Sequence, residues 1–345
     1  MTFTSYLELH RRYASRAAAE IDTALEGLGP SADNIRKSIA ALLRHQTFSY
    51  PLDVLPLLVH GAETGDPEPA LPLAAVHTLW WTSACYFDDL ADGNGTAAAG
   101  RIGAGEATLA SVVGGHLLPL RIVRSPRIPE PVRGALVDEI VNCGILAAEG
   151  QLRDVNGTAE SATRGLVVTA YEGKSSAPFS MITAMAAILA GAEAGRTERW
   201  REFGRVFGLL WQLFNDQEDI LSGRNEDLRN GTVTYLLACA LEEAPPTERE
   251  RVLKLHAAAP GSERARADLV RALLAPDVLS LFGDDLGAFR DEAHRVLDDL
   301  GGHGACPPIL RRLVDMAGRM LLSPVPLPAE AADGDRRRHA GRSSV

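Results

Sequence analysis

Cysteine is scarce in this 345-residue chain: Cys85, Cys143, Cys239 and Cys306 are scattered, with no CxxC pair and no Cys/His ligand spacing. That excludes a disulfide framework and a structural zinc site, and the four read as reduced, mostly core-packed thiols of a cytoplasmic protein. An excess of positive charge is also missing. Lys and Arg number 35 against 45 Asp and Glu, for a net charge of −10, which argues against nucleic acid as the main partner. No convincing period-two alternation appears, so half-buried strands are not expected. The opening MTFTSYLELHRRYASR lacks the apolar core of a secretory leader. The apolar run from Leu71 to Phe87 is too short, and too polar at its end, for a membrane span.

What is present is helical. Hydrophobic residues make up 46% of the chain, ample for a sizeable core. The spacing predicts helices over about 2–27, 32–44, a segment after Pro51, 71–92, 105–123, 129–155, 159–173, 175–191 and 197–221. Shorter ones follow over about 231–243, 246–258, 262–274, 276–300 and 307–322. The Gly- and Ala-rich stretch after Asp92 reads as a lid-like loop, and 323–345, with its Arg336–Arg338 run, as a disordered tail. The expected architecture is one all-α domain, a helical bundle over 1–322, with no internal repeat.

Two acidic stretches carry the chemistry. LPLAAVHTLWWTSACYF is apolar all round, as only a buried helix can be, and ends in Asp88, Asp89 and Asp92. Asp88 and Asp92 fall on one helix face with Asp89 beside them. The second stretch ends the apolar run GRVFGLLWQLF; Gln212, Asp216 and Asp219 share a face, and Asn215 and Asp219 are a further i, i+4 pair. Carboxylates crowded at the end of a buried helix repel one another unless a cation lies between them, and hard Mg²⁺ is the natural one. An acidic helix end in solvent explains either stretch alone; two such ends facing one cavity point to Mg²⁺ ions clamping a diphosphate.

These motifs closely resemble those of the trans-isoprenyl diphosphate synthase (polyprenyl synthetase) family. DDxxD is matched by Asp88, Asp89 and Asp92, and the second motif by Gln212, Asn215, Asp216 and Asp219. GQxxD appears as Gly150-Gln151-Leu152-Arg153-Asp154, the Lys-Thr pair as Lys174-Ser175, and DLxxGKxT as Asp227 to Thr234. GEATLASVVGGHLL resembles the helix ending in AGDxLL, with His116 in place of the acid. The resemblance implies an isoprenoid synthase bundle around an apolar cavity, an allylic prenyl diphosphate substrate, three Mg²⁺ ions in the family's manner, and a homodimer. Asp88, Asp89, Asp92, Asn215, Asp216 and Asp219 would hold the metal. Asp88, Asp89, Asp92, Asp216 and Lys174 would carry catalysis. Gln151, Asp154, Lys174, Gln212, Arg224 and Arg229 would bind the diphosphate, with Trp80, Trp81, Ser83, Ala84, Phe87 and Tyr50 around the organic substrates. Small Ser83 and Ala84 leave the cavity open at their level and Trp80 makes a floor one turn deeper, for a C10 to C20 donor.

The chain departs from the family where a second diphosphate, that of isopentenyl diphosphate, would bind. Thr47 and Tyr50 stand where Lys and Arg are expected, Trp81 replaces a His, no Arg-Arg-Gly follows Asp92, and Thr232 replaces a Lys. Arg101 is the only base before the next helix, and His45 and His77 are the residual candidates for a cation. A site of Trp, Tyr, Phe and Thr has little with which to grip a diphosphate. It suits another small-molecule acceptor, indole-type or sugar/glycerate-type, in specialised metabolism. Three further readings stay open: a terpene cyclase, although Gly223 occupies the position of the Glu in an NSE-type motif; an ordinary prenyl diphosphate synthase; and a silent Mg²⁺-binding scaffold subunit.

Overall fold

The computed structural model describes residues 4–45, 50–95, 99–100 and 102–324. The expectations placed on Thr47, on Arg101, on part of the loop after Asp92 and on the tail from residue 325 lie outside these residues. Every regular element among them is helical, so the architecture is all-α.

The outer helix α1 (Tyr6–Glu26) shows how the pattern works. Leu9, Tyr13, Ala17, Ile21 and Leu25 recur every four residues and are all buried, and Ser5 caps the helix by accepting from the Glu8 N–H at 3.2 Å. After α2 (Asp33–His45) and α3 (Leu55–Thr64) comes α4 (Leu71–Ala91), enclosed on most of its circumference from Leu71 to Trp80. Pro72 sits in the first turn of α4, where its missing N–H costs nothing. Then follow α5 (Ala104–Val112), α6 (Leu118–Val123), α7 (Arg133–Asn156), α8 (Arg164–Tyr171), α9 (Ala177–Leu189) and the 28-residue α10 (Ala194–Leu221). The chain continues through α11 (Glu226–Asn230), α12 (Tyr235–Glu242), α13 (Pro246–Ala258), α14 (Glu263–Leu273), α15 (Pro276–Leu300) and α16 (Cys306–Ala317).

Helix α10 is central, packed between α9 and α15 and burying Phe203, Val206, Phe207, Leu210 and Phe214. On its other side α9 meets α3, α4 and α7, so the two acidic helix ends face each other across the interior.

The boundaries differ from expectation in four places, each for a local reason. The helix expected over 159–173 is divided: Ala159–Ser161 is a single 3₁₀ turn, and Thr163, extended and accepting from the Leu166 N–H at 3.2 Å, starts α8 afresh. The one expected from 231 starts at Tyr235, because Gly231 takes a left-handed φ of 74° and Thr234 caps the new helix. Helix α11 was not anticipated. The last helix stops at Ala317, short of 322. Two π turns, Val113–Leu117 and Glu172–Ser176, interrupt the helical run around GGHL and EGKSS, and both fall beside the cavity.

Candidate active site

The two acidic helix ends and the π turn at Glu172–Ser176 surround a cavity of about 570 Å³. Its polar wall includes Asp88, Gln151, Lys174, Ser175, Gln212, Asn215, Asp216, Asp219 and Asp227. Its apolar wall includes Trp80, Trp81, Ala84, Phe87, Ala147 and Ala148.

Lys174 is the electrostatic pivot. Its ammonium lies 2.9 Å from Asp88 Oδ1 and 2.7 Å from Asp154 Oδ2, and Gln151 Nε2 donates to the same Asp88 oxygen at 2.9 Å. Burial pulls the lysine pKa down, but Asp88 and Asp154 together outweigh it and hold the group charged, with a pKa above the ordinary lysine value. The lysine reaches both partners because α7 and the π turn touch backbone to backbone. A methyl group on Gly150 would lie 2.2 Å from the Lys174 nitrogen, and one on Gly173 would lie 2.6 Å from Gly150 Cα. Only glycine at both positions permits that approach.

The second acidic face is held by neutral donors. Tyr171 donates its hydroxyl to Asp216 Oδ2 at 2.6 Å, Gln212 Nε2 donates to Asp216 Oδ1 at 2.8 Å, and Ser175 Oγ donates to Gln212 Oε1 at 2.5 Å. Asp216 is 4% exposed, and burial raises its pKa above the usual carboxylate range despite those bonds. Asp227 is raised further, first by burial and then by Asp216 and Asp219. Asp219 accepts from the Glu226 and Asp227 N–H groups at 3.0 and 3.3 Å, which caps α11. Helix α11 in turn reaches the first motif, where Asn230 Nδ2 donates to Asp92 Oδ2 at 2.7 Å. Asp89 is pushed up to about 6 by partial burial and then by Asp88, Asp92 and Glu226.

Such crowding of hard oxygen donors is relieved by a divalent cation. Among the described residues, however, no three His, Cys, Asp or Glu side chains form a ready-made cage. That fits Mg²⁺, which is typically held by one or two carboxylates together with substrate phosphates rather than by an all-protein shell.

A second cavity of about 440 Å³ adjoins the first, and Trp81, Cys85, Asn215 and Arg224 line both. Its walls are aromatic: Tyr50 stands edge-on to Trp211 and Phe214 at 5.5 and 5.3 Å, and Trp81 lies 5.3 Å from Phe179. Tyr50 also donates to Glu218 Oε2 at 3.4 Å. His77 is no cation. Its Nδ1–H faces the Leu52 carbonyl at 3.1 Å and its Nε2 accepts from the Trp81 indole N–H at 2.6 Å. Burial pushes its pKa down to about 3, the Leu52 contact opposing only weakly. Cys85 is inert, its thiol pushed up to about 12 by burial and then by Asp88 and Asp89.

Of the anticipated side chains, five line neither cavity: Asp89, Asp92, Asp154, Ser83 and Arg229. Ser83 is 3% exposed and packs against the π turn, where a methyl group on Gly115 would be 2.3 Å from its Cβ, so it does not set cavity depth; Ala84 and Trp80 do line the cavity. Arg229 is exposed and lines neither cavity, because it lies on the solvent side of α11, whereas Arg224 lines both. Tyr50 borders the second cavity rather than the first. Tyr171 and Asn230 were missed: neither carries charge, and nothing in the spacing links them to an aspartate forty-five or more positions away.

A family model described as Polyprenyl synthetase matches residues 116–273. The chain is similar to the short chain isoprenyl diphosphate synthase of Methanothermobacter thermautotrophicus, 25% identical over 220 residues that cover 58% of this chain and 65% of that protein. The match therefore spans just under two thirds of that relative's length. Among solved structures, a decaprenyl diphosphate synthase from Rhodobacter capsulatus aligns with a TM-score of 0.74 at 19% identity, covering 90% of this chain and 97% of that one. A geranylgeranyl pyrophosphate synthase from Corynebacterium glutamicum, complexed with isoprenyl diphosphate and magnesium, aligns with a TM-score of 0.73 at 17% identity, covering 89% and 98%. At these identities the structural likenesses speak for the fold.

Proposed function

We propose that this chain, matched by the Polyprenyl synthetase model over residues 116–273, is a member of that family and a Mg²⁺-dependent prenyltransferase. It ionises an allylic prenyl diphosphate of C10 to C20 and transfers the prenyl group to an acceptor other than isopentenyl diphosphate. Bound Mg²⁺ supplies Lewis acidity at the leaving diphosphate, and Asp88, Asp89, Asp92, Asn215, Asp216 and Asp219 are the residues that would hold it. Lys174, Gln151 and Gln212 bind and orient the diphosphate at the polar mouth of the larger cavity. Trp80, Ala84 and Phe87 enclose the prenyl chain and keep water from the developing cation.

One observation carries the choice of acceptor. The second cavity presents Asp53 and Glu218 to its contents, and Arg224 is the one guanidinium among its described lining residues. Arg224 already lies 3.8 Å from Asp219 and 3.6 Å from Glu226. Two carboxylates and a ring of Tyr50, Trp81, Phe179 and Trp211 repel a second diphosphate and suit a neutral, aromatic molecule. A second reading, chain elongation with isopentenyl diphosphate, is favoured by the names of the relatives, all of them diphosphate or polyprenyl synthases.

A homodimer in the cytoplasm completes the proposal. Val141, Ile145 and Leu152 repeat at helical spacing on α7, exposed at 47, 64 and 58%, the kind of row that a partner surface covers. No helix of the described residues is long and apolar enough to cross a membrane.

The test is incubation of the purified protein with Mg²⁺ and geranyl, farnesyl or geranylgeranyl diphosphate. Each is supplied alone, with isopentenyl diphosphate, and with indole, while diphosphate and organic products are followed together. Prenylated indole is expected. Elongation would establish the second reading, hydrocarbon from donor alone would make the protein a cyclase, and no diphosphate release would leave a scaffold.

A further inference from the structure

The second cavity contains a pair of side chains that donor ionisation does not use. His10, on α1, and Asp53, in the 3₁₀ turn Leu52–Val54, both line it and lie 2.9 Å apart, Nδ1 to Oδ1, although 43 positions separate them in the chain. The carboxylate side chain is 16% exposed and the imidazole 30%. An ionised Asp53 makes Nδ1 the protonated ring nitrogen, which leaves the Nε2 lone pair as the imidazole's basic site. An imidazole oriented by a buried carboxylate is the arrangement by which proteins take up a proton from a reacting group.

Prenylation of an N–H, O–H or aromatic C–H acceptor requires that uptake. The C1–O bond of the donor breaks with its electron pair leaving on the diphosphate, the acceptor bonds to C1, and the acceptor's proton must go elsewhere. The other groups around the cavity are poorly placed to receive it. His77 has both ring nitrogens engaged, and Glu218 is the acceptor of the Tyr50 hydroxyl. Cys85 is held as a thiol by burial.

We propose that His10, oriented by Asp53, is the general base that removes the acceptor's proton, and that the acceptor is a neutral aromatic compound bearing an ionisable or ring hydrogen. The proton passes from the acceptor to His10 Nε2 and then to solvent, so the donor loses diphosphate, the acceptor loses a proton, and nothing is oxidised or reduced. Asp53 is a positioning residue. This inference rests on the acceptor reading above and adds the residue and the substrate class.

The experiment uses the full chain with Mg²⁺, farnesyl diphosphate and indole, and measures prenylated indole separately from diphosphate released without acceptor. His10→Ala should lower indole prenylation about 100-fold while leaving acceptor-free release within about twofold of wild type, since His10 lies outside the metal and diphosphate machinery. Added imidazole should restore part of the lost rate. Asp53→Asn should reduce the same step without altering acceptor-free release. His10→Gln, closer in size, serves if the alanine variant melts early. Equal loss of both activities, or no loss of prenylation, would overturn the assignment. A wild-type protein that ignores indole and elongates isopentenyl diphosphate would overturn the acceptor reading and the base together, whereas a wild type that prenylates indole alongside unaffected variants would remove the base alone.

Discussion

Replacing Gly150 by alanine tests how the site is assembled. The added methyl group would lie 2.2 Å from the Lys174 backbone nitrogen and 2.5 Å from the Gly173 carbonyl carbon, where ordinary contact begins at 3.4 Å. The obstructing atoms are backbone, so no side chain can swing away, and α7 must part from the π turn by over an ångström. Overpacking of this kind costs about 1–3 kcal/mol, and rigid backbone on both sides argues for the upper end. For a chain of this length 1 kcal/mol corresponds to roughly 1.5 °C in Tm, because unfolding entropy scales with size; a fall of about 5 °C is expected. Activity should suffer more. The displaced segment carries Lys174, whose contacts with Asp88 and Asp154 are 2.9 and 2.7 Å, and a misplacement of ~1 Å in a positioning group costs about 100-fold in rate. Differential scanning calorimetry and diphosphate release from farnesyl diphosphate measure the two effects. Gly134→Ala is the control. It lies on the same helix with nothing within 4 Å of a methyl group, and it should gain up to ~1 kcal/mol from helix propensity at full activity. If Gly150→Ala melts and turns over like Gly134→Ala, the claim that backbone contact places the lysine is wrong.

Trp81→Phe should destabilise the protein by about 1–3 kcal/mol in urea titration, because it strips the hydrogen bond from His77 Nε2, a buried acceptor; an unchanged midpoint would deny that bond. For the metal-free protein, Tm should fall as pH rises from 5 to 7.5. Asp89 is raised from 3.8 to about 6 and Asp216 is raised by burial, so the folded state holds more protons than the unfolded state over that window and loses stability as they leave. Mg²⁺ with inorganic diphosphate should reverse the fall at pH 7.5, and a Tm that climbs with pH in the absence of metal would contradict the crowding of these carboxylates. Ile145→Glu should convert a dimer to monomer in sedimentation velocity, and a wild-type monomer would remove the α7 interface.

The fold and the two acidic faces were legible because their signals are local. A helix apolar all round ending in three aspartates, or a run of Phe203, Val206, Phe207 and Leu210, fixes both element and orientation within a few turns. The supporting shell was not legible. Tyr171 reaches Asp216 and Asn230 reaches Asp92 only because distant helices meet, and an uncharged side chain leaves no pattern in the sequence. Ser83 was misplaced for a related reason: helical spacing identifies the face it shares with Ala84, but the π turn that covers Ser83 depends on Gly115 and its long-range packing. His10 and Asp53 were overlooked because each stands alone in its own segment, and only the close approach of α1 to the Leu52–Val54 turn pairs them.

The wall between the two cavities sets the terms on which this protein can change. Asp88, Lys174, Gln212, Asp216 and Asp219 belong to one chamber, while His10, Tyr50, Asp53 and Phe179 belong to the other. Variation confined to the second chamber can remodel what is prenylated without touching the machinery that activates the donor, so specificity and ionisation can drift at different rates. Trp81, Cys85, Asn215 and Arg224 are the exceptions, since each faces both chambers. A mutational library aimed at new acceptors would retain most function if it kept those four fixed, and sequences that alter one of them should carry a compensating change across the wall.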